Sequence, residues 1–211
     1  LICTVIFLFQ VFSQNFDYYI YYYGFKPSTF FLKSDLPSFI PSLTLIISIF
    51  MHGGWMHFLG NMLYLWIFAD NVEDIMGSKR FTFFYLLSGI FASLSHSLMD
   101  IHSNTPLIGA SGAIAGVLGA YLYLFPKAKV LVLVPFIIFF TIRVPAFLLL
   151  LIWFFYQFIN LGNQGSNIAW VAHIAGFLFG LFYSVIFVKK NNKKKIKKGK
   201  SIFINRKGPW N

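Results

Sequence analysis

"LIGASGAIAGVLGAY", residues 107–121, decides how the chain is to be read. Its glycines, Gly109, Gly112, Gly116 and Gly119, recur at intervals of three, four and three, which places them on one face of a helix. The other faces carry only Ala, Ile, Val, Leu and Tyr after Ser111, so the helix is apolar all round and must be surrounded by protein or lipid. A glycine face lets a second helix approach to backbone contact. Ser111, between Gly109 and Gly112, also has the small neighbours that a nucleophilic serine needs.

The rest of the chain is equally apolar. Its 211 residues are 58% hydrophobic, 21% aromatic and 11% charged, with a mean hydropathy of +0.71. A soluble domain carries about 25% charged residues, so a polytopic membrane protein is expected. The single cysteine, Cys3, excludes an intrachain disulfide and a thiolate zinc site.

Apolar stretches run from about Trp55 to Val72, Phe81 to Leu98, Leu107 to Phe125, Pro145 to Ile159 and Ile168 to Val188. "LICTVIFLFQVF" at residues 1–12 is too short to span a bilayer and lacks a signal-peptide pattern. It is expected to be the remaining part of a first transmembrane helix truncated at its N-terminus, giving six spans in all. The expected fold class is thus all-α, a six-helix membrane bundle with a structured, tyrosine-rich first outer loop. Val130–Ile142, interrupted by Pro135, is too short to span and reads as an interfacial or re-entrant segment.

Charge sets the orientation. Lys79 and Arg80 follow span two, Lys127, Lys129 and Arg143 follow span four, and ten of the 17 basic residues lie between Lys189 and Lys207. The opposite loops hold only Lys26 and Lys33, so the positive-inside rule places both termini in the cytoplasm. The division expected is a membrane domain over residues 1–188 and a basic cytoplasmic tail over 189–211, in a bacterial inner membrane. No aromatic platform accompanies the lysines, so the tail is expected to meet anionic membrane lipid and not nucleic acid.

Polar side chains inside spans are costly and point to function. His57 and Asn61 stand in span two, Ser111 about four residues inside span four, and His173 about five inside span six. All are near the outer ends of their spans, so one level open to the outside is expected to gather them. Span six repeats the small-residue face with Ala169, Ala172, Gly176 and Gly180 beside His173. Close packing of spans four and six would give the Ser111 hydroxyl a general base in His173. Asp70, Glu73 and Asp74 lie at the far end of span two, and Asp100 in an outer loop, so a Ser–His dyad without an acid is expected. The base's tautomer must then be held by packing or by another hydrogen bond.

His57 and Asn61, four apart on one helix face, can donate to an oxyanion, as can the Ser111 amide at a helix N-terminus. "HGGWMH" lacks the His-Glu-x-x-His pattern of zinc peptidases, so neither metal nor other cofactor is expected. Ala113 two residues after Ser111 departs from the nucleophile elbow, and no Gly-Lys-Ser/Thr phosphate loop is present.

Three segments together resemble the rhomboid intramembrane serine proteases: "HGGWMHFLGNMLYLWIFADNVEDIMG" (52–77), "PLIGASGAIAGVLGAYL" (106–122) and "AWVAHIAGFLFG" (169–180). They are similar, in order, to the family's His-x-x-x-Asn, Gly-x-Ser-Gly and Ala-His-x-x-Gly signatures. The resemblance implies Ser111 as nucleophile, His173 as general base and an oxyanion hole of His57, Asn61 and the Ser111 amide. It implies transmembrane protein substrates admitted laterally near span five, at "WFFYQFI" (153–159) and the loop "LGNQGSN" (161–167). The family's Gly-x-x-x-Glu-x-x-x-Gly reads here as Ala69, Glu73 and Gly77, and the Trp-Arg pair common in its first loop is missing. His52 is expected to face the water-filled cavity. Two other functions compete: a rhomboid-like client-binding protein without activity, and a transporter, which would call for inverted repeats that the sequence does not show.

Overall fold

The computed structural model describes residues 1–133, 141–162 and 168–188. The basic tail, part of the loop after span five and the centre of the Pro135 segment lie outside the described residues.

The chain is mostly helical. Helix α1 (Ile2–Phe12) leads into a loop containing α2 (Phe16–Tyr23), α3 (Pro27–Phe31) and α4 (Pro41–Ile47), closed by a 3₁₀ turn at Ser48–Phe50. Then come α5 (Trp55–Met76), α6 (Ser78–Ser97), α7 (Ser111–Leu124), strands β1 (Lys129–Leu133) and β2 (Thr141–Pro145), α8 (Ala146–Ile159) and α9 (Trp170–Phe187).

One expectation needs correction. The fold is not purely α, because β1 and β2 pair antiparallel, with Val130 opposite Val144 and Val132 opposite Ile142. β-Branched residues at alternate positions suit a pleated ladder, and it joins α7 to α8 where an interfacial segment was expected. The flanks of that segment form the ladder, and its centre is not described. The count of six spans is not carried by helix length. Among the described residues, Trp170–Phe187 is long and apolar enough to cross a membrane. A second crossing results if Pro41–Phe50 and Trp55–Met76, bent by 78°, form one broken span. Helices α1, α7 and α8 are apolar but shorter.

Helix α7 is the centre of the molecule. Every residue from Gly112 to Tyr121 is buried, as an all-apolar helix requires. It packs against α5, α6 and α9. Phe68 of α5 meets the Tyr121 ring edge-on at 5.0 Å, while Phe84 of α6 meets Tyr183 of α9 at 5.0 Å. Helix α8 is peripheral: only Ala146, Leu150 and Gln157 are buried on it.

The small faces of α7 and α9 bring the two backbones into contact. A Cβ at Gly176 would strike the Gly112 carbonyl, one at Gly180 the Gly116 carbonyl, and one at Gly119 the Phe177 carbonyl. Gly112 opposes Gly176 and Gly116 opposes Gly180, an equal offset of 64 positions, so the helices run parallel. That offset sets His173 level with residue 109. Ser111 and His173 therefore stand at the same end of the pair, about 3 Å apart in axial level.

The first loop is folded around a lysine. Lys26 is 0% exposed, its Nζ donating to the Tyr21 carbonyl and, at 2.8 Å, to that of Pro37, while lying 4.1 Å from the centre of the Tyr21 ring. Burial pulls its pKa below the ordinary lysine value. The next turn ties the loop to the segment ahead of Ser111, because Phe25 and Leu107 exchange backbone hydrogen bonds of 3.1 and 2.8 Å. Lys26→Met leaves both carbonyls without their donor while keeping the aliphatic stem. It is expected to destabilise the protein by about 3 kcal/mol, read as a lower unfolding midpoint in detergent and faster proteolysis of residues 27–40.

Candidate active site

Helix α7 begins at Ser111, not four residues earlier as the apolar run suggests. Two features stop the helix there. Leu107 is committed to its bridge with Phe25, and Gly109 has φ +119°, a conformation open to glycine, with its amide donating to the Ser48 carbonyl at 2.9 Å. Ser111 therefore occupies the first turn, where backbone amides have no intrahelical acceptor. The first intrahelical bond across this end runs from Ile114 to the Ala110 carbonyl, so the Ser111, Gly112 and Ala113 amides have no backbone acceptor among the described residues.

This geometry corrects the role expected of Gly109. It does not lie on the glycine face of α7 but against His57: a Cβ there would come 2.7 Å from both Cε1 and Nε2 of that ring and 3.8 Å from the Ser111 Oγ. The imidazole edge and the serine hydroxyl thus converge on one glycine. The Gly53 amide donates to His57 Nδ1 at 3.3 Å, so the neutral ring carries its proton on Nε2, the atom beside Gly109. His57 is a hydrogen-bond donor aimed at the Ser111 neighbourhood. One turn on, Asn61 is 8% exposed and its Nδ2 has no hydrogen-bond partner among the described residues. A buried amide donor without an acceptor is costly and suits an acceptor supplied by substrate.

Ser111 lines a cavity with Ser48, Ser93, Gly109, Ala169 and Ala172. Its volume of about 30 Å³ has room for one or two waters, and three of its lining residues offer hydroxyls. His57, Asn61 and His173 are not among its lining residues, although His57 meets it through Gly109. His52 does not line the cavity either, but its ring packs edge-on against that of His57, centroids 5.2 Å apart. It is 0% exposed, edge-on also to Phe7 at 6.1 Å and to Phe58 at 5.4 Å, with neither ring nitrogen hydrogen-bonded among the described residues. Its backbone is clamped instead, the amide donating to Gln10 Oε1 and the carbonyl accepting from Gln10 Nε2.

His173 lies in the first turn of α9 with its ring tilted over that of Trp153, centroids 5.9 Å apart. Its Nδ1 is 2.9 Å from Gln157 Oε1. Asp100 takes no part; its Oδ1 accepts the His102 amide at 3.0 Å. Both means of holding the imidazole expected from the sequence, packing and a non-acidic hydrogen bond, are therefore present. Gln157 is the residue that sequence reasoning missed. The available signal was a lone amide in the otherwise apolar "WFFYQFI". Among the described residues no group of three or more His, Cys, Asp or Glu could hold a metal ion.

Gly109→Ala is expected to lower the rate at which a fluorophosphonate labels Ser111 by about 10²-fold, because its Cβ displaces the His57 ring. Helix content by circular dichroism is expected to hold, since Gly109 precedes α7. Wild-type labelling by this variant would remove His57 from the site.

A rhomboid domain matches residues 42–190. The chain belongs to the rhomboid family. Rhomboid protein 1, mitochondrial, of Saccharomyces cerevisiae is 31% identical over 162 residues, covering 72% of this chain and 44% of that protein. The mitochondrial presenilin-associated rhomboid-like protein of Homo sapiens is 27% identical over 146 residues, 66% of this chain and 36% of that one. RHOMBOID-like protein 5 of Arabidopsis thaliana is 38% identical over 78 residues, 37% of this chain and 25% of that one. The chain spans less than half the length of these relatives. As a rhomboid it is a membrane protein, but relatives named as mitochondrial lend no support to the bacterial inner membrane expected from the sequence.

Proposed function

We propose that this rhomboid is an intramembrane serine endopeptidase that cuts other membrane proteins in or near their transmembrane segments. The observation that carries the reading is the convergence at Gly109. A serine hydroxyl on a cavity with room for water and a histidine whose tautomer makes it a donor both face one glycine, at the end of the α7–α9 pair where a second histidine is held.

Ser111 Oγ attacks the scissile carbonyl while His173 Nε2 takes the hydroxyl proton. The oxyanion is bound by His57 Nε2–H, Asn61 Nδ2–H and the Ser111 amide, where the positive end of α7 adds to the field. Collapse of the tetrahedral intermediate breaks the C–N bond, and His173 returns the proton to the leaving amine. A water from the cavity then gives its proton to His173 and attacks the acyl carbon. The second collapse breaks the ester C–O bond and restores the proton to Ser111.

In this reading residues 1–188 form a six-span membrane domain whose site opens away from the cytoplasm, and 189–211 a cytoplasmic tail. Substrate segments arrive beside α8, the least covered of helices α5 to α9. Incubating the purified full chain in detergent with a fluorophosphonate and mapping the adduct by mass spectrometry tests the reading. A single adduct on Ser111, lost in His173→Ala, is expected. Absence of an adduct on Ser111 in the wild type returns the chain to the client-binding or transport readings.

A further inference from the structure

We infer that Gln157 is a positioning residue: its amide on α8 fixes the proton of His173 on Nδ1 and so leaves Nε2 free to act as base. The inference rests on the serine-protease reading for its catalytic meaning, but not for its geometry.

The reasoning begins with an orientation that has only one chemical solution. Among the described residues the Gln157 side chain makes two hydrogen bonds, with the Trp153 carbonyl at 2.7 Å and with His173 Nδ1 at 2.9 Å. A carbonyl can only accept, so the NH₂ end of the amide must face Trp153, and the oxygen is left for the histidine. That oxygen can only accept in turn. Nδ1 must therefore carry the proton, and a neutral imidazole then presents a bare lone pair at Nε2. The side chain is 2% exposed, so water does not compete for either bond.

The location argues against a purely adhesive role. Gln157 is the only polar residue among the three buried on α8, a helix whose Phe147, Ile152, Phe155 and Ile159 are exposed on its outer side. An amide inside such a helix is expensive unless something needs it. Trp153, one turn earlier, supplies both the carbonyl that orients the amide and the ring that backs the imidazole. One turn of α8 thus cradles the base from two sides.

The two site histidines are set in opposite senses. The Gly53 amide donates to His57 Nδ1 and makes Nε2 a donor, while Gln157 Oε1 accepts from His173 Nδ1 and makes Nε2 an acceptor. One ring is fixed for the oxyanion, the other for the hydroxyl proton. No carboxylate is needed for either assignment.

The test uses the full chain in detergent micelles with ¹⁵N-histidine, the His173 signal being assigned by its loss in His173→Ala. The wild type is expected to show neutral His173 protonated at Nδ1. Gln157→Leu, which removes the acceptor at similar volume, is expected to move a substantial share of that proton to Nε2. It should also slow fluorophosphonate labelling about tenfold and lower kcat on a transmembrane substrate with KM unchanged. Gln157→Glu in its protonated form donates its O–H to the Trp153 carbonyl, keeps an acceptor oxygen for Nδ1, and should label within about twofold of wild type. Protonation of wild-type His173 at Nε2, or an unchanged tautomer in Gln157→Leu, overturns the inference. If the leucine variant does not fold, the wild-type spectrum still decides it. If the wild type is tautomerically as expected but takes no label on Ser111, the protease reading fails and the role of Gln157 as tautomer-setter stands.

Discussion

Ser111→Ala is expected to abolish turnover of a transmembrane substrate, with a loss of 10⁴-fold or more in kcat. The reason is covalent: without Oγ no acyl-enzyme forms, and what remains is whatever acceleration the oxyanion donors and substrate positioning give to direct attack by water. His173→Ala removes only the base, but the hydroxyl is then a poor nucleophile, and a fall of similar size is expected. The double variant is expected to be no slower than either single one, because the two residues act as a unit. Three kcat values from one detergent preparation check this. Additive losses would mean that Ser111 and His173 act separately, and a cleaving Ser111→Ala enzyme would remove the serine mechanism altogether. The α7–α9 register makes the non-additive outcome the expected one, since both residues stand at one end of a helix pair in backbone contact.

The parts of this site that obey a local rule were legible in the sequence. Gly112, Gly116, Gly176 and Gly180 announce a close helix pair because small residues at helical spacing have one main use in an apolar setting. His57 and Asn61 announce themselves by being polar at i and i+4 on an apolar helix. Gly109 was misread because its position follows from a partner far away in sequence: Leu107 pairs with Phe25, and the helical pattern through residue 109 is overruled by that bridge. Gln157 stands out in the sequence as a lone amide in an apolar helix, but its use was not legible, for a similar reason. Its meaning depends on contact between α8 and α9, and no spacing within either helix encodes it. Lys26 looked like an ordinary loop charge; only the fold shows it replacing solvent with the Tyr21 and Pro37 carbonyls as the support of the first loop. The β1–β2 ladder was hidden by the apolar average of its segment, although Val130, Val132, Ile142 and Val144 carry the β-branched alternation that a strand needs.

Gly180→Ala is expected to cost more than alanine at any other glycine among the described residues and to disable the site from two turns away. The added carbon would overlap the Gly116 carbonyl, a backbone atom that no rotamer change can move. The helices must separate or slide, and the resulting repacking is expected to cost about 3 kcal/mol or more. Gly180 lies seven residues beyond His173, about 10 Å along α9, so the methyl touches neither the serine nor the histidine. Its effect on chemistry arrives only through the separation of α7 from α9. A displacement of about 1 Å between nucleophile and base is enough for a 10²-fold loss. Gly60→Ala is the matched control: Gly60 is exposed on α5, and a Cβ there meets nothing within 4 Å. It is expected to leave labelling of Ser111 at the wild-type rate and to raise the unfolding midpoint slightly, as replacing a mid-helix glycine should. Labelling rate and unfolding midpoint, measured side by side for both variants, separate a geometric effect on the dyad from a general tolerance of added bulk. If Gly180→Ala labels and melts like wild type, the backbone contact between α7 and α9 is not what holds Ser111 to its base.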